Sequence, residues 1–168
     1  MRKVIIACVV GVVLIGVLLA VGVWWLLIRE LPTLEASISL PPEAALDSSF
    51  PMTMTATNTH KVTVTLDSID IDDSFLSGFQ VMEVVPKPVD TMHLPFVNQR
   101  SWAFGKEVHP GSAMTVTFRL RAVQEGHFSG DVDVCNPNQD YVTLVADVVV
   151  RRTKSGEEHP GRQIEGTR

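Results

Sequence analysis

The feature that most constrains this chain is the uncharged run from Val4 to Ile28. Charged residues close the run on both sides, with Arg2 and Lys3 before it and Arg29 and Glu30 after it. At about 1.5 Å per residue, a helix over this run is longer than the roughly 30 Å hydrocarbon core of a bilayer. The sequence therefore predicts a membrane helix over residues 4–28, preceded by a cytoplasmic segment over 1–3 and followed by a linker over 29–33.

The charges that flank the run predict its orientation. The N-terminal flank is positive, whereas Arg29 is followed at once by Glu30. The cytoplasmic flank of a membrane helix usually carries more Lys and Arg than the other flank. We therefore expect a single-pass protein of the cell membrane (inner or plasma membrane), with its N-terminus in the cytoplasm and the domain after the helix on the extracytoplasmic side. Trp24, Trp25 and Arg29 then lie at the outer membrane–water interface, where indole rings are favoured.

A cleaved signal peptide is the main alternative to a retained anchor. Ala20 and Gly22 supply small residues at a spacing that signal peptidase accepts. Cleavage there would leave the apolar segment 23–28 at the end of a soluble protein, which favours the anchor.

Within the run, Ala7 with Gly11 and Gly16 with Ala20 are small residues four apart. They would let a second helix approach closely, so a homo-oligomer stands beside a lipid-facing helix as an alternative.

Composition limits what the part beyond the run can bind. Without Arg2 and Lys3, 12 basic residues face 19 acidic ones, for a net charge of −7. This excess argues against nucleic acid and against an anionic lipid surface as partners. Residues 34–150 suffice for one domain, and the polar stretch 151–168 is predicted to be a disordered tail. Cys8 in the membrane and Cys135 outside it cannot pair, so no internal disulfide is expected.

Beyond Leu34 the chain alternates apolar and polar residues in short runs that Pro, Gly, Asn and Asp separate. This pattern predicts an all-β domain. The expected strands are 34–40, 50–57, 62–71, 79–85, 100–104, 114–123, 128–135 and 141–150. Seven or eight strands over this length predict an immunoglobulin-like two-sheet β-sandwich.

The two clearest strands predict a hairpin register. Keeping the apolar faces together pairs Leu120 with Val132 and Phe118 with Val134 across a loop over 125–127. This register would also set Arg121 opposite Asp131, Arg119 opposite Asp133, and a partly exposed Cys135 opposite Thr117. In the third strand the apolar residues change from even positions (Val62, Val64 and Leu66) to odd positions (Ile69 and Ile71). This change predicts a β-bulge near Asp67–Ser68.

Two turn-and-strand patterns resemble a known family. Asn58-Thr59 precedes Val62-Thr63-Val64-Thr65-Leu66 and Ile69, and Pro110-Gly111 precedes Thr115-Val116-Thr117-Phe118 and Leu120. These patterns resemble the CARDB-like and related immunoglobulin-like adhesion and envelope modules of bacteria, over roughly residues 34–150. The resemblance implies a module that presents a surface or acts as a spacer, with no catalytic motif to carry over.

The search for chemistry gives one alternative function. Cys135, with His127 and His109, suggests a metal-binding or copper-delivery module, because blue-copper sites combine one Cys, two His and a weak Met ligand. The expected His and Met do not follow Cys135 closely, so this signature is incomplete. Asp67, Asp70, Asp72 and Asp73 lack the spacing of an EF-hand loop and fit a solvated strand face. No catalytic motif occurs, so we expect neither an enzyme nor a cofactor.

An apolar stretch between strands is the candidate interaction site. Met92, Phe96, Val97 and Trp102 form a contact patch if they are exposed, with Trp102 as a core residue as the alternative. The sequence thus predicts a membrane-anchored envelope module that docks or scaffolds an unidentified envelope protein. A metal-delivery module is the alternative function.

Overall fold

A computed structural model describes residues 15–19, 21–22, 24, 33–137 and 140–152. The chain divides into two units, 1–31 and 32–168. In the first unit the described residues are helical and their side chains are exposed. Among the described residues, no helix combines the length and the apolar character needed to cross a membrane. The described residues do not include most of the predicted membrane helix or residues 1–3 and 29–32 that flank it. Trp25, Arg29 and the tail beyond Arg152 are therefore also outside the described residues.

The described residues of the second unit form ten strands and one short helix. The strands are β1 (Glu35–Ser39), β2 (Glu43–Ala45), β3 (Ser49–Thr57), β4 (Val64–Asp72), β5 (Phe79–Val85), β6 (Asp90–Leu94), β7 (Gln99–Val108), β8 (Ala113–Ala122), β9 (Gly126–Cys135) and β10 (Tyr141–Arg151). The helix, Asp73–Leu76, lies between β4 and β5. We refer to this unit, from Thr33 to Arg152, as the sandwich domain.

The strands form two sheets, as the all-β prediction requires. One sheet has four strands in the order β1-β3-β8-β5, and the other has six in the order β2-β10-β9-β4-β7-β6. Alternate residues of both sheets meet in one core that includes Met52, Phe118, Ile71 and Val132, all wholly buried. Trp102 packs edge-to-face on Phe118 across this core, with ring centroids 5.0 Å apart. The domain is therefore a two-sheet β-sandwich.

The predicted hairpin between β8 and β9 is wrong. β8 pairs with β3 and β5, whereas β9 pairs with β10 and β4 in the other sheet. Residues 123–125 therefore cross from one sheet to the other. Alternation cannot distinguish the two arrangements, because inward residues of both sheets point into the same core. Arg121 consequently contacts Asp47 at 3.2 Å and not Asp131.

The remaining pairs of that predicted register change for the same reason. Arg119 lies opposite Glu83, with 4.0 Å between their charged groups, and not opposite Asp133. Cys135 lies opposite Ser68 and Tyr141, not Thr117, although it is partly exposed as expected. The predicted bulge is present, since the register between β4 and β7 shifts between Leu66 and Ser68.

Two strands were not predicted. β2 has three residues, and β6 lies inside the segment that was expected to be a loop. Both are edge strands of the six-stranded sheet. β2 is too short for alternation to identify it, and β6 is exposed along nearly its whole length, so it does not alternate.

The turn that follows β3 depends on a buried side chain, that of Asn58. Its Nδ2 donates to the carbonyl oxygens of Val62 and Val108, at 2.8 and 2.7 Å, and its Oδ1 accepts from the backbone N–H of His60 at 2.9 Å. Asn58 is wholly buried, so each of these bonds replaces one that water would otherwise make. The residue ties the end of β3 to the end of β7.

Candidate interaction surfaces

The loop between β6 and β7, Leu94–Asn98, has a defined conformation. The backbone N–H of Val97 donates to the Leu94 carbonyl at 3.2 Å, and Asn98 adopts a left-handed φ of 54°. The Asn98 carbonyl in turn accepts from the N–H of Asp73 at 2.8 Å. These bonds attach the loop to the start of the short helix, so its apolar side chains project from an ordered base.

The loop carries the most exposed large apolar side chain of the described sandwich domain, that of Phe96. Phe96 is 101% exposed, and Met92 and Val97 are 55% and 57% exposed. Val89, just before β6, is 77% exposed and was not singled out in the sequence. Trp102 is only 4% exposed, so the core alternative is correct for this residue. Val89 lies beside the middle of β7, where its N–H donates to the Ala103 carbonyl, so we define the loop patch as Met92, Phe96 and Val97.

Strand directions place the loop patch far from the point where the chain enters the sandwich domain. β1 starts at Glu35, which lies opposite Thr57, and Thr57 in turn lies opposite Ala113 at the start of β8. We call this end the proximal pole. β8 ends at the other, distal pole. Three residues separate Ala122, the last residue of β8, from Gly126, where β9 begins and runs back.

β4 runs antiparallel to β9 and ends at the distal pole at Asp72, opposite Gln99. The loop Leu94–Asn98 immediately precedes Gln99 and therefore belongs to the distal pole. A strand as long as β7, with ten residues, spans about 33 Å between the poles.

The outward side of β4 and β9, in the middle of the six-stranded sheet, is acidic. Asp70 on β4 lies opposite Asp133 on β9, and Asp72 accepts a hydrogen bond from the backbone N–H of Asp131 at 3.0 Å. Strands β4, β6 and β9 contain no Lys or Arg. We call this side, with Asp70, Asp72, Asp131 and Asp133, the carboxylate face.

Part of the carboxylate face is already hydrogen-bonded within the domain. Asp133 accepts from Thr143 Oγ1 at 2.6 Å and from Gln99 Nε2 at 2.9 Å. Asp70 differs, because its Oδ1 is buried without a hydrogen-bond partner among the described residues. Like charges that lie directly opposite each other destabilise a sheet. The Asp70–Asp133 pair therefore costs free energy in the isolated domain.

The outward side of the four-stranded sheet has a different character. β3 contributes Ser49, Thr53, Thr55 and Thr57, and β8 contributes Thr115, Thr117, Arg119 and Arg121. These two central strands contain no Asp or Glu. We call this side the hydroxyl face. An open depression of about 300 Å³ lies on it beside Arg119, between Pro51 and Val85.

Cys135 lies at the end of β9, on the same side as the carboxylate face. Its Sγ donates to Asp70 Oδ2 at 3.6 Å. Burial raises the pKa of the Cys135 thiol from 9.0 to about 12, and the negative charge of Asp70 acts in the same direction. The thiol therefore stays protonated at neutral pH, which opposes both nucleophilic and metal-ligand chemistry.

The residues of the metal alternative do not come together. Cys135 and His127 are eight residues apart on one extended strand, or about 26 Å. His127 contacts Asp147 at 2.7 Å, and His109 contacts Thr63 at 3.3 Å. Within the described part of the chain, no group of three or more His, Cys, Asp or Glu could hold a metal ion. The four aspartates 67, 70, 72 and 73 likewise form no such group, and Asp73 contacts His93 at 2.7 Å.

Comparison with known proteins identifies the fold. No protein-family model matches the chain. No curated protein matches its sequence. A cohesin module of a family 33 glycoside hydrolase from Clostridium perfringens is similar in structure, with a TM-score of 0.50 and 12% identity over 73% of this chain and all (100%) of that module. Alpha-2-macroglobulin from Escherichia coli is similar with a TM-score of 0.50 and 15% identity, over 71% of this chain but 7% of its own.

A CARDB domain from Pyrococcus furiosus is also similar. Its TM-score is 0.48 at 15% identity, over 73% of this chain and 90% of that domain. At these identities the likeness concerns the fold alone, and the cohesin module, which this chain matches over its full length, supports the predicted β-sandwich. The sandwich domain has the immunoglobulin-like architecture of these modules.

Proposed function

We propose that this chain is a membrane-anchored, extracytoplasmic interaction module of the cell envelope, which docks a protein partner through the loop patch and catalyses no reaction. The observation that carries the proposal is Phe96, whose side chain is fully exposed at the tip of a hydrogen-bonded loop. Exposing such a ring to water is unfavourable, and large apolar side chains that insert into a partner's pocket dominate binding energies.

The composition of the chain favours a protein as the target of the loop patch. The part of the chain beyond residue 28 carries a net charge of −7, which disfavours an anionic lipid surface as a partner. If residues 4–28 anchor the chain, tethering raises the local concentration of the module for a protein partner at the same membrane.

A photo-crosslinking experiment tests the docking surface. The full chain would carry a photoreactive residue in place of Phe96 and, as a matched control, in place of Val145, which is exposed on β10. We expect one dominant protein adduct from position 96 in the native membrane and none from position 145. The adduct should disappear when Met92→Ser and Val97→Ser are added. Adducts of equal yield from both positions would contradict docking through the loop patch.

The anchor has its own test, because docking and anchoring are separate claims. We expect the full chain to stay in the membrane after alkaline extraction, and a protease added outside to cut the tail while the N-terminus stays protected. The intact mass should include residues 1–28. A mature chain that begins after Ala20 or Gly22 would show that the segment is a cleaved signal peptide.

A further inference from the structure

The outer edge of β6 carries backbone groups that no described strand takes up, and we propose that a second copy of this chain pairs with it, β6 against β6, around a two-fold axis. β6 is the last strand of the six-stranded sheet and pairs only with β7. Four of its five residues are exposed. The proposal names a second copy as the partner of the loop patch, and in that respect it rests on the proposed function.

The hydrogen bonds between β4 and β7 show which backbone groups of β7 are already used. In an antiparallel pair, every second residue directs its N–H and carbonyl toward the partner strand. The N–H of Asp73 donates to the Asn98 carbonyl at 2.8 Å. The register of β4 with β7 continues from this bond, so Arg100 and Trp102, two and four residues further along β7, also direct their backbone groups toward β4.

Thr91 and His93 are therefore the residues whose backbone groups face the free edge of β6. They lie opposite Trp102 and Arg100, whose own groups point the other way, so neither pair exchanges hydrogen bonds. One contact agrees with this assignment, because the N–H of Thr91 donates to the side chain of Asp90 at 2.8 Å. The edge thus offers two N–H groups and two carbonyls to an added strand.

One register uses all four of these groups. In an antiparallel pair centred on Met92, Thr91 of each copy lies opposite His93 of the other, and the two pairs exchange four hydrogen bonds. A pair centred on His93 would set Thr91 opposite Pro95, which has no N–H. A pair centred on Thr91 would set His93 opposite Val89, whose N–H already donates to β7.

The same register brings exposed apolar side chains together. Met92 lies opposite Met92 of the second copy in a pair without hydrogen bonds, where Cα atoms are about 4.5 Å apart and side chains are close. Val89, which is 77% exposed, lies opposite Pro95 at the base of the loop that carries Phe96. Pairing would therefore cover apolar groups at the centre and at both ends of β6.

Charge and the properties of the other edges favour β6 as the contact. Asp90 lies opposite Leu94 in this register, so the two carboxylates do not face each other. β2 has only three residues, the register of β5 shifts between Val81 and Glu83, and β1 has no exposed large apolar side chain. A five-residue strand spans about 17 Å, so the contact is short and the association should be weak and concentration-dependent.

Sedimentation of the full chain in neutral detergent tests the proposal. Both copies use the same edge, so the contact closes at two copies, and the protein mass should rise with concentration to twice that of the chain and no further. Thr91→Pro removes an outward N–H at an edge where Pro is tolerated. It should raise the dissociation constant of the dimer about tenfold or more, because each dimer loses two hydrogen bonds. Thr91→Ala keeps the N–H and, as the matched control, should keep the dimer.

A disulfide scan in a chain without its native cysteines tests the register. Met92→Cys should form a covalent dimer when copper phenanthroline is added, because its Cα atoms lie within disulfide range. Asp90→Cys lies about 13 Å along the strands from its counterpart and should not pair with itself, but it should pair with Leu94→Cys when the two variants are mixed. Val145→Cys, exposed on β10, is the control and should stay monomeric.

Three results would overturn the proposal: a chain that stays monomeric, a dimer that Thr91→Pro leaves unchanged, or a Met92→Cys yield no higher than that of Val145→Cys. Association through the predicted membrane helix would give the second result, because it does not use the N–H of Thr91. If Thr91→Pro fails to fold, the cysteine variants decide the question.

Failure of this pairing is distinguishable from failure of the proposed function. A different protein captured from position 96 by a monomeric chain would refute the pairing and support docking through the loop patch. The absence of any adduct from position 96 would refute docking itself.

Discussion

Asn58 shows how one buried polar side chain can hold a turn in an all-β domain. Replacing Asn58 by Ala removes three hydrogen bonds at once and leaves the carbonyls of Val62 and Val108 without that donor. Because unsatisfied buried groups cost about 1–3 kcal/mol each, we expect the free energy of unfolding to fall by roughly 3 kcal/mol. Chemical denaturation of the full chain, followed by near-UV circular dichroism, measures this loss. Thr59→Ala, at an exposed neighbour, should change stability by less than about 0.5 kcal/mol.

Cys135 should be an unreactive thiol in the folded chain. With a pKa of about 12 in place of 9.0, its thiolate is scarce at pH 8. Allowing for the higher nucleophilicity of a basic thiolate, we expect alkylation about 30-fold slower than in the urea-unfolded chain. Asp70→Asn removes a charge that raises the pKa and should speed the reaction, whereas Asp147→Asn, farther along the same face, should not. The rates are measured in a Cys8→Ser background, and equal folded and unfolded rates would contradict the assignment.

The same thiol gives stability a pH dependence. A folded pKa above the unfolded value favours the protonated, folded state, and this contribution is complete below about pH 9. Between pH 9 and pH 12 the unfolded chain loses this proton more readily than the folded chain, so the free energy of unfolding falls as pH rises. Comparison of the wild-type chain with Cys135→Ser over this range isolates the effect.

At the scale of elements, the junction between the short helix and β5 is tightly packed. A methyl group at Gly78 would lie 2.5 Å from the ring of Phe128 on β9. We therefore expect Gly78→Ala to lower stability by about 1–3 kcal/mol, and Phe128→Leu to offset part of that loss in the double variant. Gly105→Ala is the control. A methyl group at Gly105 would enter open space, but the residue has a φ of 55°, which disfavours Ala. The Gly105→Ala variant should therefore lose about 1 kcal/mol of stability, and adding Phe128→Leu should not reduce that loss.

The elements also show what alternation can and cannot predict. It identified eight strands and the bulge at Ser68, because inward residues must be apolar and a slip in parity must be absorbed. It failed for the pairing of β8 with β9, since strands of both sheets face one core. The exposure of Phe96 and Val97 was foreseeable, because they belong to an apolar stretch between two predicted strands. The carboxylate face was not, because the pairing of β4 with β9 brings Asp70 and Asp133 together from distant parts of the sequence.

At the scale of the whole molecule, the core of the sandwich domain is contained between Leu34 and Val150. A chain of residues 33–152 should therefore fold by itself, with the same near-UV circular dichroism and the same unfolding midpoint as the full chain. A chain starting at Leu40 loses β1 and the side chain of Leu34, which is only 1% exposed. Since the loss of one buried Leu side chain costs about 2–5 kcal/mol, we expect this shorter chain to be severely destabilised.

The comparison of these two chains tests whether the sandwich domain is an independent unit. β1 is an edge strand that pairs only with β3, so its removal should not change the order of the other strands. A shorter chain as stable as 33–152 would show that β1 and Leu34 are dispensable. If the longer chain fails to fold, the core must depend on residues before Thr33 or after Arg152, and the chain must fold as one unit together with its N-terminal segment or its tail.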